Sequence, residues 1–192
     1  ENPERLERSK VIAEEIKQYL TGSGNMRALE YGAGTGVLSL LLQDRFDEIV
    51  MMDSSREMVN VMAEKVRDEE ISHLRPLFGN LEEESYTDGP FDVIFSLMVM
   101  HHVEQINQVL IRFSEMLNKG GLLFIVDLFQ EDGSFHKEDF NGHLGFDPEA
   151  LAQKLKSAGF NSASYHHCYT MQKTTVTGET KEFPLFMLVG QR

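Results

Sequence analysis

The chain has 192 residues, 41% hydrophobic and 26% charged, and its 18 basic and 31 acidic residues leave a formal charge of −13. That length suits one domain with a full core and is too short for two of ordinary size. With no basic cluster the chain is a poor partner for nucleic acid or an anionic membrane surface, and the lone Cys168 makes neither a disulfide nor a cysteine-built zinc site.

No apolar run reaches the length of a membrane span and no secretory signal is read, so a cytoplasmic protein is expected. The chain opens on Glu1 rather than Met, so a short leader is expected upstream. Strand-like and helix-like segments then alternate, which predicts an α/β fold with a mostly parallel sheet. Asn2 and Pro3 read as the cap and first turn of an N-terminal helix within residues 1–22. Its Ile12, Ile16 and Leu20 keep helical spacing, and it stops at Thr21-Gly22. A first strand covers Arg27 to Tyr31. After a glycine loop comes a helix with Leu38, Leu41 and Leu42 on one face. The second strand, EIVMMD, ends on Asp53, and Ser54 with Glu57 reads as a capping box for a helix striped by Met58, Met62 and Val66.

A short third strand is predicted near Leu74 to Phe78 and a fourth over FDVIFSL, residues 91 to 97, after the turn Asp88-Gly89-Pro90. Val103, Ile106, Leu110, Phe113 and Leu117 follow at 3, 4, 3 and 4 spacing, a helix pattern that Lys119-Gly120-Gly121 is expected to end. LLFIVDLF is the fifth strand. Asp147-Pro148 caps a further helix with Leu151, Leu155 and Ala158 inward and Gly159 at its stop. Two tail strands, about 161 to 169 and 183 to 190, read as an antiparallel hairpin.

The segment ALEYGAGTGVLSLLL, residues 28 to 42, places Gly32, Gly34 and Gly36 between a strand and a helix. In a doubly wound sheet such a turn lies where ligands bind, outside the carboxyl ends of the strands. A dinucleotide fingerprint requires its third glycine at the position that Val37 occupies, so G-x-G-x-G breaks that pattern. Asp53, 21 residues after Gly32, ends the second strand, where a carboxylate can accept from both ribose hydroxyls. Asn80 follows the third strand and offers the donor and acceptor that an adenine edge needs, although taken alone it reads as a turn residue.

LEYGAGTG, Asp53, GNLEE, FDVIFSLMVMHH and LNKGGLLFIVD, in this order and spacing, resemble class I S-adenosylmethionine-dependent methyltransferases. The similarity is greatest to the small-molecule branch that includes ubiquinone and menaquinone C-methyltransferases, and it runs from about residue 26 to 190. GFDPEALAQKLKSAGF resembles the late helix of that branch. The resemblance implies one Rossmann-like, doubly wound domain over 1–192 with a seven-stranded sheet and an antiparallel C-terminal strand. It implies S-adenosylmethionine as cofactor and S-adenosylhomocysteine as product. It places Glu30 at the cofactor's amino group and Gly32 and Gly34 along its methionine part. Asp53 falls at the ribose with Ser54 and Met58 nearby, and Asn80 and Leu81 frame the adenine. Tyr31 and Ser96 join the same cofactor set. Two positions depart from the family's pattern: Asn80 where Asp is frequent, and Lys119 where Pro often precedes the paired glycines.

Transfer from a sulfonium needs alignment and exclusion of water, and a base only where the acceptor keeps a proton that must leave. His102 and His101 follow the fourth strand and Asp127 ends the fifth, which makes all three candidate catalytic groups. For His102 the structural reading, ordering the loop or capping the next helix, has more weight, and for Asp127 a hydrogen bond to loop backbone weighs equally. Residues 128–146, long for a connection, form a candidate substrate loop. A metal site from His136, Asp139 and His143 fits no strong template, and none is expected. Met98 and Met100 are candidates for an apolar wall, with core packing the better reading for each. His166 and His167 read as structural or exposed. The expected partner is a small-molecule acceptor, with the chain a monomer or homodimer. A non-catalytic binder of the same cofactor, and less so an NAD-dependent oxidoreductase, share the glycines and acids.

Overall fold

A computed structural model describes residues 2–20, 25–136, 139–175 and 178–192. Helix α1 spans Pro3–Tyr19, and the side chain of Asn2 caps it by accepting the N–H of Glu4 at 2.9 Å. The expected stop at Thr21-Gly22 lies outside the described residues. Strand β1 is Arg27–Tyr31, and the glycine loop leads into the short helix α2, Val37–Leu42. Strand β2 is Glu48–Asp53, helix α3 Arg56–Asp68 and strand β3 Leu74–Phe78. Strand β4 is Phe91–Leu97, helix α4 Ile106–Met116 and strand β5 Leu117–Leu128. Helix α5, Pro148–Ser157, is capped by Asp147, and strands β6, Ser162–Thr174, and β7, Thr180–Gln191, complete the order.

The strands form a seven-stranded sheet in the order β3-β2-β1-β4-β5-β7-β6. β1 to β5 run parallel, and β7 is antiparallel to both of its neighbours, β5 and β6. Pro76 has no N–H to give a ladder, and it stands in β3 at the sheet edge, where that loss is tolerated. Strand residues alternate between two cores. Ala28, Val93, Phe95, Phe124 and Val126 pack with Ile12, Ile16, Leu38 and Met62 from α1, α2 and α3. Leu29, Ile94, Leu123 and Ile125 pack with Val109, Leu110, Phe113 and Leu155 from α4 and α5. The result is three layers, each helix burying an apolar stripe on one sheet face. No helix among the described residues is long and apolar enough to cross a membrane.

Three local expectations are corrected. The cap of α3 is Ser55, not Ser54: its Oγ accepts the N–H of Met58 at 3.3 Å and donates to Glu57 Oε2 at 2.8 Å. The shift follows from Asp53, whose Oδ1 takes the Ser55 N–H at 2.8 Å and turns the chain one residue later. Helix α4 ends at Met116, because Leu117 is already extended (ψ 144°) and pairs with Phe91. Lys119-Gly120-Gly121 therefore lies within β5, where Gly120 takes a positive φ of 80°. The tail strands are also longer than their apolar runs, since the hairpin pairs from Ser162 with Gln191 out to Thr174 with Thr180.

Candidate active site

Strand order reverses between β1 and β4, so their carboxyl ends leave a crevice between diverging connections. The glycine loop fills one side. The N–H groups of Gly32 and Ala33 both donate to the carbonyl of Met52 at 2.9 Å, which ties the loop to β2. Gly32 has φ +71°, and a Cβ there would lie 2.4 and 2.5 Å from the two methyls of Val99. Gly34 has φ +56°, and a Cβ there would meet nothing within 4 Å. The first glycine thus admits a neighbouring side chain, and the second leaves the backbone open. A Cβ on Gly36, the cap of α2, would lie 3.2 Å from Met51 Sδ and 3.3 Å from Met62 Cγ, so the glycine serves close helix–strand packing.

Glu30, one residue before the end of β1, is buried on the α1–α2 face. Its Oε2 accepts the Ser39 N–H at 3.1 Å and also the Ser39 hydroxyl, so it occupies an N–H that α2 leaves without a helical partner. Burial drives its pKa from 4.5 up to about 8, with the two Ser39 bonds pulling back and the charge of Asp53 adding to the rise. The carboxyl holds its proton at neutral pH until a cation approaches. Asp53 Oδ2 accepts the Gly34 N–H at 2.7 Å and Oδ1 the Ser55 N–H. Each oxygen retains a second lone pair for a hydroxyl. A buried carboxyl lining a cavity, an open glycine backbone and a braced carboxylate are the groups that an amino-acid nucleoside requires, so the residues present fit S-adenosylmethionine.

A cavity of about 850 Å³ joins this loop to the connections after β4 and β5. Glu30, Gly32 and Gly34 line its near end, and Met98, His101, His102 and His136 line it further on. Tyr31, Asp53, Ser54, Met58, Asn80, Leu81 and Ser96 are not in that lining. Asn80 forms a turn: its Oδ1 accepts the Glu82 N–H at 3.0 Å and the Tyr31 hydroxyl at 3.3 Å. Tyr31 is buried edge-on against Phe113 with ring centroids 5.4 Å apart, and Leu81 packs in the same core. Ser96 is buried in β4, and its Oγ has no hydrogen-bond partner among the described residues. Ser54 is exposed and Met58 half-buried at the start of α3. A separate cavity of about 560 Å³, between the N-terminal turns of α4 and α5, contains none of the candidate catalytic or cofactor residues.

At the far side of the crevice His101 and Asp127 are both buried and form a pair. His101 Nδ1 is 2.6 Å from Asp127 Oδ1, while the His101 N–H donates to Oδ2 at 3.1 Å and the Leu128 N–H to Oδ1 at 2.8 Å. With Nδ1 facing the carboxylate, Nε2 is the ring nitrogen left to accept a proton. The exposed His102 ring lies 4.2 Å, centroid to centroid, from His101, and His136 lies 5.0 Å away, stacked on Phe140 at 3.6 Å. Burial, then the nearby His101, lowers the pKa of His102. Burial first, then His101, His102 and Lys173, takes His136 down to about 4. Met98 has φ +58°, a strained value for a side chain of its size, and its N–H is anchored to the Val126 carbonyl at 2.8 Å.

The other candidates separate from this group. Met100 is core. His143 Nε2 is 2.9 Å from the Val103 carbonyl, and its N–H donates to the His101 carbonyl at 2.7 Å, so it braces the 101–103 turn. Asp139 is exposed. His166 pairs with Glu15 at 2.9 Å, and His167 with Thr170 at 2.8 Å. The loop of residues 128–146 brings Phe135 and His136 to the cavity. Sequence reasoning missed Arg5 and Arg8 of α1 and Tyr169 and Lys173 of β6, which also line the cavity. A signal for Arg8 exists: it stands four and eight residues before Ile12 and Ile16, on the stripe that α1 buries.

A methyltransferase-domain family matches residues 5–165. An uncharacterized methyltransferase of Schizosaccharomyces pombe is 30% identical, over 72% of this chain and 54% of the relative. A demethylmenaquinone methyltransferase of Listeria welshimeri is 24% identical, over 81% of this chain and 63% of the relative. The chain spans about half the length of the first curated relatives it matches. The solved structure of a SAM-dependent methyltransferase from Aquifex aeolicus superposes with TM-score 0.66 at 17% identity, over 100% of this chain and 94% of that one, a likeness of fold. The chain belongs to the class I S-adenosylmethionine-dependent methyltransferases.

Proposed function

We propose that the chain transfers a methyl group to a small-molecule acceptor seated over the histidine pair. The observation that carries this reading is the continuity of one cavity from Glu30 and Gly34 to His101 and His136. The cofactor, when bound, supplies a methyl activated by its sulfonium leaving group. Glu30 receives the ammonium, Gly34 lets the ligand meet bare backbone, and Asp53 takes the ribose hydroxyls. Ser54 and Met58 border the ribose, and Asn80 and Leu81 frame the adenine. Tyr31 and Ser96 back this side from the core. His101 accepts a proton at Nε2 when the acceptor must lose one, and Asp127 orients the ring and offsets its charge. His102 and His136, neutral at pH 7, narrow the opening and keep water from the reacting atoms. The charge of −13 supports a small acceptor over nucleic acid.

Calorimetry with S-adenosylhomocysteine and NAD tests the reading. Wild type binds the first and not the second. Asp53→Ala weakens S-adenosylhomocysteine by roughly 1–3 kcal/mol, through lost charge-assisted hydrogen bonds and a slackened Gly34. Binding of NAD alone, or unchanged affinity in Asp53→Ala, would count against it.

A further inference from the structure

Helix α1 and strand β6 contribute Arg5, Arg8 and Lys173 to the lining of the same cavity. Arg8 is turned inward on the Ile12–Ile16 stripe. Its Nε is buried with no hydrogen-bond partner among the described residues, and its Nη1 meets the thioether of Met171 at 2.7 Å, a weak acceptor. Lys173 donates to the Phe135 carbonyl and lies 4.1 Å from the centroid of that ring. Among the described residues none of the three cations forms an ion pair, in a chain with 31 acidic side chains. Solvent accounts for the exposed Arg5, but burying an unpaired guanidinium is unfavourable unless something answers it. Burial, and then Arg5, lowers the pKa of Arg8.

The acids nearby do not supply that answer. Glu4 is exposed, and Glu30 is bonded to Ser39 and holds its proton. Asp127 is engaged by His101, and its charge reaches Arg8 only at a distance. Glu131 Oε2 accepts the Phe135 N–H at 3.1 Å, while its buried Oε1 has no hydrogen-bond partner among the described residues and its charge acts on Lys173 without an ion pair. Apolar and aromatic side chains, Leu97, Met98, Phe135 and Tyr169, share the lining with polar ones such as Thr170 and Gln172. A guanidinium fork beside an ammonium matches the oxygens of a carboxylate or phosphate.

Resting on the cavity's role as the acceptor chamber, we propose that the acceptor is an anion, a carboxylate or phosphate on an apolar or aromatic body. Arg8, with Lys173 and Arg5, holds the oxyanion, and the body lies against Phe135 and Met98 toward His101.

The test is titration of the S-adenosylhomocysteine-loaded protein with benzoate, phenyl phosphate and the neutral benzamide, at constant ionic strength, followed by NMR. Either or both anions bind, and benzamide binds at least about tenfold more weakly. The tighter anion identifies the oxyanion preferred. Arg8→Met and Lys173→Met each raise the anion Kd at least about tenfold and leave S-adenosylhomocysteine affinity and the circular dichroism spectrum unchanged. Benzamide binding as well as the anions overturns the proposal. So do both variants, folded by the same spectrum, binding anions like wild type. Wild type that selects anions yet does not bind S-adenosylhomocysteine overturns the methyl-transfer reading instead, and leaves an oxyanion site.

Discussion

His101 Nδ1 and Asp127 Oδ1 lie 2.6 Å apart, and both side chains are buried. The carboxylate takes three donors at once, two from His101 and one from the Leu128 backbone, and so joins the turn after β4 to the end of β5. Asp127→Ala is expected to lose about 3–5 kcal/mol in urea denaturation, since it strands a buried imidazole and two backbone N–H groups. Asp127→Asn, which keeps the shape, loses less but presents an amide to Nδ1. Nitrogen NMR should report a changed tautomer for His101. An alanine variant as stable as wild type would show that the pair does not hold this turn.

Glu30 makes stability depend on pH. Its folded-state pKa, about 8, is above the ordinary carboxylate value of 4.5. Below the ordinary value both folded and unfolded chains hold the proton, and the contribution is complete. Between the two values only the folded chain holds it, so stability falls as pH rises, by about 1.4 kcal/mol per unit. Above about 8 the loss is complete. Glu30→Gln keeps an acceptor for Ser39 and removes the slope. Parallel unfolding curves for the two proteins between pH 5.5 and 7.5, on the order of the window set by the linkage, would show that Glu30 does not hold the proton.

The two loop glycines should separate in their effects. Gly32→Ala drives a Cβ into Val99 at a positive φ and is expected to cost about 2–4 kcal/mol, from overpacking and backbone strain together. Adding Val99→Ala restores part of that. Gly34→Ala meets open space and costs only the backbone strain, about 1–2 kcal/mol, but places a methyl where the cofactor would lie. Its larger effect is on S-adenosylhomocysteine affinity. Equal thermal shifts for Gly32→Ala and Gly34→Ala, with no relief from Val99→Ala, would refute the packing argument.

The parallel half of the sheet was legible because β1, β2 and β4 are short apolar runs bounded by turn residues. Leu117 was not: it is apolar at both the helical and the strand period, and only its pairing with Phe91 decides. Ser54 and Ser55 are chemically identical caps, and the hydrogen bond that the Ser55 N–H donates to Asp53 selects between them. Glu30, Gly32, Gly34, His101 and His102 were each visible as candidates, since local pattern places them at strand ends. The union of His101 with Asp127, and the convergence of Arg8 and Lys173 on one cavity, was not visible. Each joins segments far apart in sequence, which no periodicity links.

Strand β7 lies between β5 and β6, although it follows both in the chain. As the polypeptide emerges from a ribosome, β6 has no neighbour to pair with until β7 has been made. The donor side, from β1 to β5, can therefore assemble early, while Tyr169 and Lys173 reach the chamber only at the last step. A folding intermediate would present an unfinished β5 edge, open to mispairing with another chain.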